Sequence, residues 1–472
     1  MQRLLQLLWE QPARLVIASF LSVAVVGALF LSLPAATVNG AGLGPLEALF
    51  TATSAVCVTG LIVVDTATYL SPFGQAVVLV LIQIGGLGIM AFTMATVYLV
   101  RRRLTMDEAE LLSFMLSENN RARVVAQLGR VLLITLTVEA VGAALLILAA
   151  RGTGVTWSRA AWEGIFHAVS AFNNAGFALH SDSLESYASS GVVNTVVMLL
   201  ILIGGVGFGT LALLSRTPGE SSVDVTGEEM MYRPQVLQTR RRAPLRRFVE
   251  PASLSAQVVL AGTAVLVLSG ALLFYLLEAR YSLLGMSLPN KYLASLFQSV
   301  TLRTAGFNTV PIADLRRPTL LVMLPFMFIG AASGGTAGGI KIGTMAAIVA
   351  EVRRFFLQER DARLFARRLP GRLVTQATVL LSAGIFVVFL ATIVLSITES
   401  APLELVLFEA VSALGTVGLS AGLTPDLSPV GRGVVIALMF IGRLGPLTLF
   451  AAFRPEGRAA AIRLPEGEIP IG

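Results

Sequence analysis

The run "SVTLRTAGFN", Ser299 to Asn308, is short, polar and closed by a bare glycine, yet it stands between two segments long enough to cross a membrane. Related runs occur at "SAVCVTGL" (Ser54 to Leu61), "SAFNNAGF" (Ser170 to Phe177) and "SALGTVGL" (Ser412 to Leu419). Each is preceded by a phenylalanine four positions before its hydroxyl residue: Phe50 before Ser54, Phe166 before Ser170, Phe297 before Thr301 and Phe408 before Ser412. The glycine follows the hydroxyl residue by six positions at Gly60, Gly176 and Gly418, and by five at Gly306. A large apolar residue comes next each time (Leu61, Phe177, Phe307, Leu419). Downstream lie Ile84-Gly85-Gly86, Ile203-Gly204-Gly205, Ile329-Gly330-Ala331 and Ile441-Gly442-Arg443. One turn glycine is commonplace; four copies in register are an internal repeat longer than any solenoid unit.

Around these runs the chain is apolar. Hydrophobic residues are 55% of 472 and charged ones 13%, with a mean hydropathy of +0.79, well below the roughly 25% charged of a soluble domain. Stretches of about 20 apolar residues, enough for a hydrocarbon core of about 30 Å, fall near 14–36, 76–100, 126–150, 191–214, 253–278, 318–350, 374–398 and 433–453. The fold expected is an all-α polytopic membrane protein with eight transmembrane spans. The four units are 1–100, 101–215, 216–352 with an interrupted inner helix, and 353–472 with a cytosolic tail. "RLVIASFLSVAVVGALFLSLPAA" (Arg14 to Ala36) is too long for a signal h-region and reads as the first span.

Arginines cluster after the second, fourth and sixth spans, from Arg101, Arg240 and Arg353, whereas Thr37 to Gln75 holds no Lys or Arg. Arg280 and Arg303 are read as outer-loop charges. By the positive-inside rule both termini face the cytoplasm of a multi-pass protein in the cell (inner) membrane. The net charge of +7 is then topology, and no nucleic acid partner is expected. The single cysteine, Cys57, excludes an intrachain disulfide and a Cys-based metal site. It is read as packing, Glu139 and Glu278 as helix-end groups. His167 and His180, 13 apart, carry no zinc motif, and no zinc site is expected there. No catalytic constellation appears, so no enzyme activity is expected.

A stretch such as "PLEALFTATSAV" (Pro45 to Val56) is apolar enough to enter a bilayer and too short to cross it. Irregular backbone at that depth survives only if buried in protein or lining a cavity. Four such loops on one axis satisfy that condition together. Their carbonyls can replace the hydration shell of a monovalent cation, with the short helices aiming C-terminal ends of roughly half a negative charge at the same place. The expected filter is Val58, Thr59 and Gly60; Asn174, Ala175 and Gly176; Thr304, Ala305 and Gly306; and Thr416, Val417 and Gly418.

"GAASGGTAGGIKIG" (Gly330 to Gly343) carries six glycines in 14 residues, and at about 1 kcal/mol each against alanine its helix would be disfavoured by about 6 kcal/mol. It should break the sixth span part-way across, since Pro318 to Ile329 covers only about 18 Å of helix. No GK[ST] pattern accompanies it. Gly330, Ser333, Gly334, Gly335, Thr336, Ala337, Gly338, Gly339 and Lys341 are therefore expected to form a gate in the conduction path. Arg443, at the depth of Ala331, is expected to reach the loop's carbonyls and to oppose cations.

These motifs, above all "RTAGFNTV" (Arg303 to Val310), "IQIGGLGIM" (Ile82 to Met90) and "FIGAASGGTAGGIKIGT" (Phe328 to Thr344), resemble the Trk/Ktr/HKT superfamily of K+ transporters across essentially the whole chain. Because the chain starts at its first repeat without an additional helix pair, the likeness is nearer to the KtrB ion-conducting subunit than to TrkH. The resemblance implies four M1–P–M2 units around one pore and K+ uptake through the filter glycines. It also implies a homodimer and regulation by a cytosolic nucleotide-binding RCK (KtrA-type) ring, with Na+ as a modulator and no organic cofactor in this chain. A serine at the first glycine accompanies sodium preference in some plant members; here it is Gly60. The C-terminal "LPEGEIPIG", ending at Gly472, resembles Ktr tails at a dimer or regulatory contact. The rival readings are a secondary transporter with broken helices at a midplane site and a Na+-selective cation transporter. The third loop, one residue shorter, rules out strict fourfold symmetry, so fewer well-formed ion sites are expected than in a tetrameric channel.

Overall fold

The computed structural model describes residues 12–99, 124–152, 154–207, 210, 254–365 and 367–445. The first two arginine-rich connections and the tail with Gly472 lie outside them.

Thirteen α-helices are described. In chain order a long helix, a short one and a further helix follow one another: α1 (Pro12–Leu31), α2 (Pro45–Val56) and α3 (Pro72–Leu99); then α4 (Val124–Gly152), α5 (Trp157–Phe172) and α6 (Gly191–Val206). Next come α7 (Leu254–Glu278), α8 (Leu288–Thr301) and a divided pair, α9 (Arg317–Phe328) and α10 (Ile342–Phe356). The last are α11 (Gly371–Thr398), α12 (Leu403–Gly415) and α13 (Pro429–Leu444). A two-residue hairpin, Arg363–Leu364 with Arg367–Arg368, joins α10 to α11.

The helix starts follow local chemistry. Pro45 and Pro429 stand in the first turns of α2 and α13, where a missing N–H costs nothing. Ser428 caps α13 by accepting from Gly431 N at 3.1 Å. Four helices are long and apolar enough to span a membrane, Arg14–Leu31, Val131–Gly152, Leu254–Glu278 and Gly371–Thr398; shorter apolar ones cover Pro72–Gly88, Gly191–Val206 and Arg317–Phe328. On α7, Val265, Leu268, Leu272 and Leu276 are all exposed, a leucine-rich outer face suited to hydrocarbon rather than water.

The short helices sit inside. Phe50, Phe166, Phe297 and Phe408 are fully buried, as are the apolar residues following the four glycines. Contacts close a circle: α3 packs on α5, α6 on α8, α9 on α12, and α13 back on α2.

Two helices break inside expected spans. The last span was expected to run through Phe453; α13 ends at Leu444, where Gly445 turns to φ +80°, and the remainder of that expected span lies outside the described residues. The fourth, expected to reach 214, is interrupted after Val206, where Gly207 takes φ +85°; Thr210 is again helical, and the rest of that expected span lies outside the described residues. The sixth is divided where its glycines lie, between Phe328 and Ile342.

Candidate functional site

The four glycine loops meet. A methyl group placed on Gly60 would stand 2.5 Å from Ala175 O, one on Gly176 2.9 Å from Ala305 O, one on Gly306 2.8 Å from Val417 O and one on Gly418 2.0 Å from Thr59 O. Each glycine thus abuts the carbonyl that precedes the next one, and the fourth closes on the first. Any Cβ would collide with backbone, which cannot swing aside as a side chain can.

The backbone of each loop repeats one pattern. Val58, Asn174, Thr304 and Thr416 have φ of 55°, 60°, 65° and 50°, and the glycines two residues on have φ of 92°, 70°, 76° and 88°. Left-handed conformations are uncommon for residues with a Cβ, and here they recur in register. The intervening amides of Thr59, Ala175 and Val417 donate to the carbonyls of Ser54, Ser170 and Ser412 at 2.8, 2.7 and 2.8 Å. In the shorter third loop Ala305 N donates to Thr301 O at 3.0 Å, four residues back rather than five. The missing residue is absorbed there, before the glycine ring.

A trans peptide holds C=O antiparallel to N–H. With those amides fastened to their own helices, the carbonyls of Val58, Asn174, Thr304 and Thr416 are turned away from them. Among the described residues no donor reaches these four oxygens, nor those of Thr59, Ala175, Ala305 and Val417, although all eight residues are buried. Buried main-chain oxygens are nearly always paired; eight left open together form a set of acceptors for a cation.

The hydroxyl residues explain their place in the motif. Ser170 Oγ donates to Phe177 O at 2.8 Å and Thr301 Oγ1 to Phe307 O at 2.6 Å, while Ser54 Oγ accepts from Gly60 N at 3.1 Å. Among the described residues Ser412 Oγ has no partner. The downstream glycines are explained too. A Cβ on Gly85, Gly204 or Gly442 would meet the carbonyl of Val56, Phe172 or Leu414 at 2.0, 1.9 and 1.9 Å, so each lets its helix touch the end of a short one. Gly330 instead meets Gly338 O, of its own loop, at 2.0 Å.

The segment from Gly330 to Lys341 lies against this ring. Gly330 N donates to Ile340 O at 2.8 Å, Ala332 N to Gly205 O at 3.1 Å and Thr336 N to Gly204 O at 3.2 Å. Thr336 Oγ1 donates to Phe172 O at 3.2 Å, with Asn174 Oδ1 at 3.3 Å, and a Cβ on Gly338 would stand 2.1 Å from Thr416 Oγ1. Gly335 packs against Gly205 O, Ser333 O lies by Gly207, and Gly334 and Gly339 take positive φ. Lys341 Nζ donates to Ala337 O and Gly338 O at 2.6 and 3.2 Å. Arg443, 4% exposed, donates to Thr336 O and, at 2.7 Å, to Gly85 O. It therefore fastens the segment to α3.

Some readings are corrected. Arg303 is not an outer-loop charge: it is 4% exposed, beside the third loop. Glu139 lies within α4 rather than at its end, accepting from Gln83 Nε2 at 3.2 Å and Asn173 Nδ2 at 3.0 Å. Glu278 does close a helix and accepts from Arg316 N at 3.3 Å and from Thr319 Oγ1. His167 and His180 stack at 5.1 Å, and Glu163, one helical turn before His167, lies 3.9 Å from His180 Nε2. Cys57 is buried and free. Glu409, fully buried on α12 and accepting from Ser420 Oγ and, at 2.9 Å, from Thr424 Oγ1, was not singled out in sequence; a carboxylate inside an apolar short helix was the available signal.

Residues 6–461 match the family described as "TrkH: Cation transport protein". The chain is 37% identical to the Ktr system potassium uptake protein B of Bacillus subtilis (98% of this chain, 96% of that protein) and 34% identical to its namesake from Vibrio alginolyticus (97% and 94%). It is 32% identical to the potassium/sodium uptake protein NtpJ of Enterococcus hirae (98% and 97%). The crystal structure of the potassium transporter TrkH from Vibrio parahaemolyticus superimposes with a TM-score of 0.68 at 21% identity, covering 93% of this chain and 84% of that one.

Proposed function

The chain belongs to the TrkH family of cation transport proteins, and from that premise we propose that it takes up K+ through the ring of loop carbonyls. It is an integral membrane protein of a family that transports ions and catalyses no covalent reaction. In this reading four M1–P–M2 units, with boundaries at 1–100, 101–215, 216–352 and 353–472, give eight spans around one pore. Val58 to Gly60, Asn174 to Gly176, Thr304 to Gly306 and Thr416 to Gly418 strip water from the ion. The observation that carries it is the eight buried, donorless carbonyls on four converging loops. Carbonyl dipoles at fixed spacing suit a large, weakly hydrated monovalent cation.

The segment from Gly330 to Lys341 is the gate and Arg443 its latch. A positive charge bonded to Thr336 O closes the path both sterically and electrostatically. Relatives named as parts of a Ktr system support a second component. We assign that role to a cytosolic RCK ring acting on a homodimer with cytoplasmic termini, each protomer with its own pore. The name of the Enterococcus relative supports a modulatory part for Na+.

The test is competition of K+, Rb+, Na+ and Li+ for uptake into proteoliposomes, with Gly60→Ser as comparator. Rb+ should compete and Na+ and Li+ should not, while Gly60→Ser should admit Na+. Folded protein that moves no K+, or that Na+ blocks as well as Rb+ does, overturns the assignment.

A further inference from the structure

The residue that follows the repeated phenylalanine is polar in all four units, Thr51, His167, Gln298 and Glu409, and in all four it is buried. It stands three positions before the hydroxyl residue, so the two share one face of the short helix, a turn apart. A polar side chain enclosed in an apolar short helix is costly unless something bonds it. What bonds these is the chain that leaves the glycine ring. His167 Nε2 accepts from Leu179 N at 3.1 Å, three residues beyond Gly176. Its Nδ1 lies 2.8 Å from Glu163 O, so a neutral ring donates on one side and accepts on the other. Glu409 accepts from Ser420 Oγ, two residues beyond Gly418, and from Thr424 Oγ1 at 2.9 Å. Gln298 Nε2 makes only a long contact, 3.5 Å, with Val310 O. Among the described residues Thr51 Oγ1 has no partner.

With the hydroxyl residues these bonds make a ladder. In the second unit Ser170 holds Phe177 O and His167 holds Leu179 N, so successive turns of α5 grip the outgoing chain at two points. The fourth unit lacks the first rung, because Ser412 Oγ is unpartnered among the described residues. Among those residues Glu409 is then the one side chain of α12 that bonds the chain beyond Gly418. Ser420 extends its reach: with its one hydrogen committed to the carboxylate, Ser420 Oγ accepts from Gly422 N at 3.1 Å and Thr424 N at 3.4 Å.

We propose that Glu409, and His167 as its counterpart in the second unit, are positioning residues for ion selection, each bracing the chain beyond its filter glycine from the short helix behind it. Neither side chain touches the ion. On the near side of Gly176 and Gly418 the loops are already fastened, by Ala175 N to Ser170 O and Val417 N to Ser412 O. A loop tied on one side of its glycine can shift; tied on both, it holds its carbonyls in one place, and discrimination among alkali cations depends on how those carbonyls are held. This rests on the filter reading above. The rungs also rank the units: two bonds to a carboxylate at Glu409, one at His167, a long one at Gln298 and none at Thr51.

The experiment measures tracer K+ uptake into proteoliposomes and takes the ratio of the Na+ to the Rb+ concentration that halves it. Glu409→Leu should lower this ratio about tenfold and His167→Leu about fivefold, the charged acceptor losing the more. Glu409→Gln and His167→Gln, which keep an acceptor oxygen, should restore most of it. Thr51→Val should leave it unchanged. The ratio does not depend on how much protein is folded, so a residue that only packs the fold would lower Tm and the maximal rate and leave the ratio where it was. An unchanged ratio in either leucine variant, or an equal fall in Thr51→Val, overturns the proposal. If one leucine variant does not fold, the other decides together with Ser420→Ala, which removes one Glu409 bond from the loop side and should lower the ratio about threefold. Wild type that discriminates no better than Glu409→Leu but still prefers Rb+ sinks the brace alone; wild type that Na+ blocks as well as Rb+ does sinks the filter reading with it.

Discussion

The first and third inner helices carry the same Ile-Gly signature and use it in opposite ways. In α3, Gly85 sits against Val56 O of the neighbouring short helix, and the helix continues unbroken through Gly88 to Leu99. In the third, the chain leaves helix at Phe328, Gly330 sits against Gly338 O of its own segment, and helix resumes only at Ile342. A glycine in either place permits close backbone approach; what is approached differs. The first helix is a wall behind the ring. The third has exchanged that packing for a segment folded back on itself, held by a few hydrogen bonds and by Arg443. Its bonds run within the segment and across to Gly204, Gly205 and Phe172; in the proposed gate these are the contacts that opening would break.

Both helices depend on the ring itself, and the largest effect is expected there. Gly418→Ala places a methyl 2.0 Å from Thr59 O at a φ of 88°, and overpacking plus left-handed strain should lower proteoliposome K+ uptake at least about 100-fold. Gly343→Ala, with nothing within 4 Å of the added methyl, is the silent control. Undiminished uptake by Gly418→Ala would dissolve the ring.

Arg443→Gln removes the charged bonds that join the divided helix to the continuous one. At about 1.5–3 kcal/mol for such bonds, basal cation flux should rise about tenfold or more, and deletion of Gly334 to Gly339 should act the same way. Unchanged flux with intact protein removes the latch.

The comparison itself is tested by paired substitutions. Gly85→Ala and Gly330→Ala both meet a carbonyl at 2.0 Å, so each costs about 1–3 kcal/mol by overpacking. The first should lower Tm and uptake together; the second should loosen the segment and raise basal flux. The same sign in both would erase the distinction. Among the loop hydroxyls, Ser170→Ala loses a bond to Phe177 O and should weaken uptake about fivefold, at about 1 kcal/mol. Ser412→Ala, where no partner exists, should change little.

The smallest effect concerns the outer loops, where Asp65 takes a bond from Ser181 of the second loop. Burial pushes the Asp65 carboxyl up, but bonds from Ser181, Thr68 and the Ala67 amide outweigh it and hold the group below the ordinary carboxylate range. Its contribution is therefore complete at neutral pH and fades as pH falls through that lowered value. Wild type should lose about 1 °C of Tm more than Asp65→Asn on acidification to about pH 3, below the ordinary carboxylate value; parallel melting curves would show that the tie is idle.

The chain's own order of residues was enough to establish that four apolar units recur, that each carries a hydroxyl residue and a glycine at fixed spacing, and that the sixth span must break. These follow from local facts: hydropathy, periodicity and the backbone freedom of glycine act within a few residues, so spacing alone exposes them. Only the folded chain decided that Gly60, Gly176, Gly306 and Gly418 close on one another's carbonyls, that Gly85 and Gly330 serve different neighbours, that Arg303 is buried with no acceptor among the described residues, and that Glu163 stands beside two stacked histidines. Most of those are contacts between residues tens to hundreds of positions apart, and which of them form is settled by how the helices pack, a property that no short window of sequence contains.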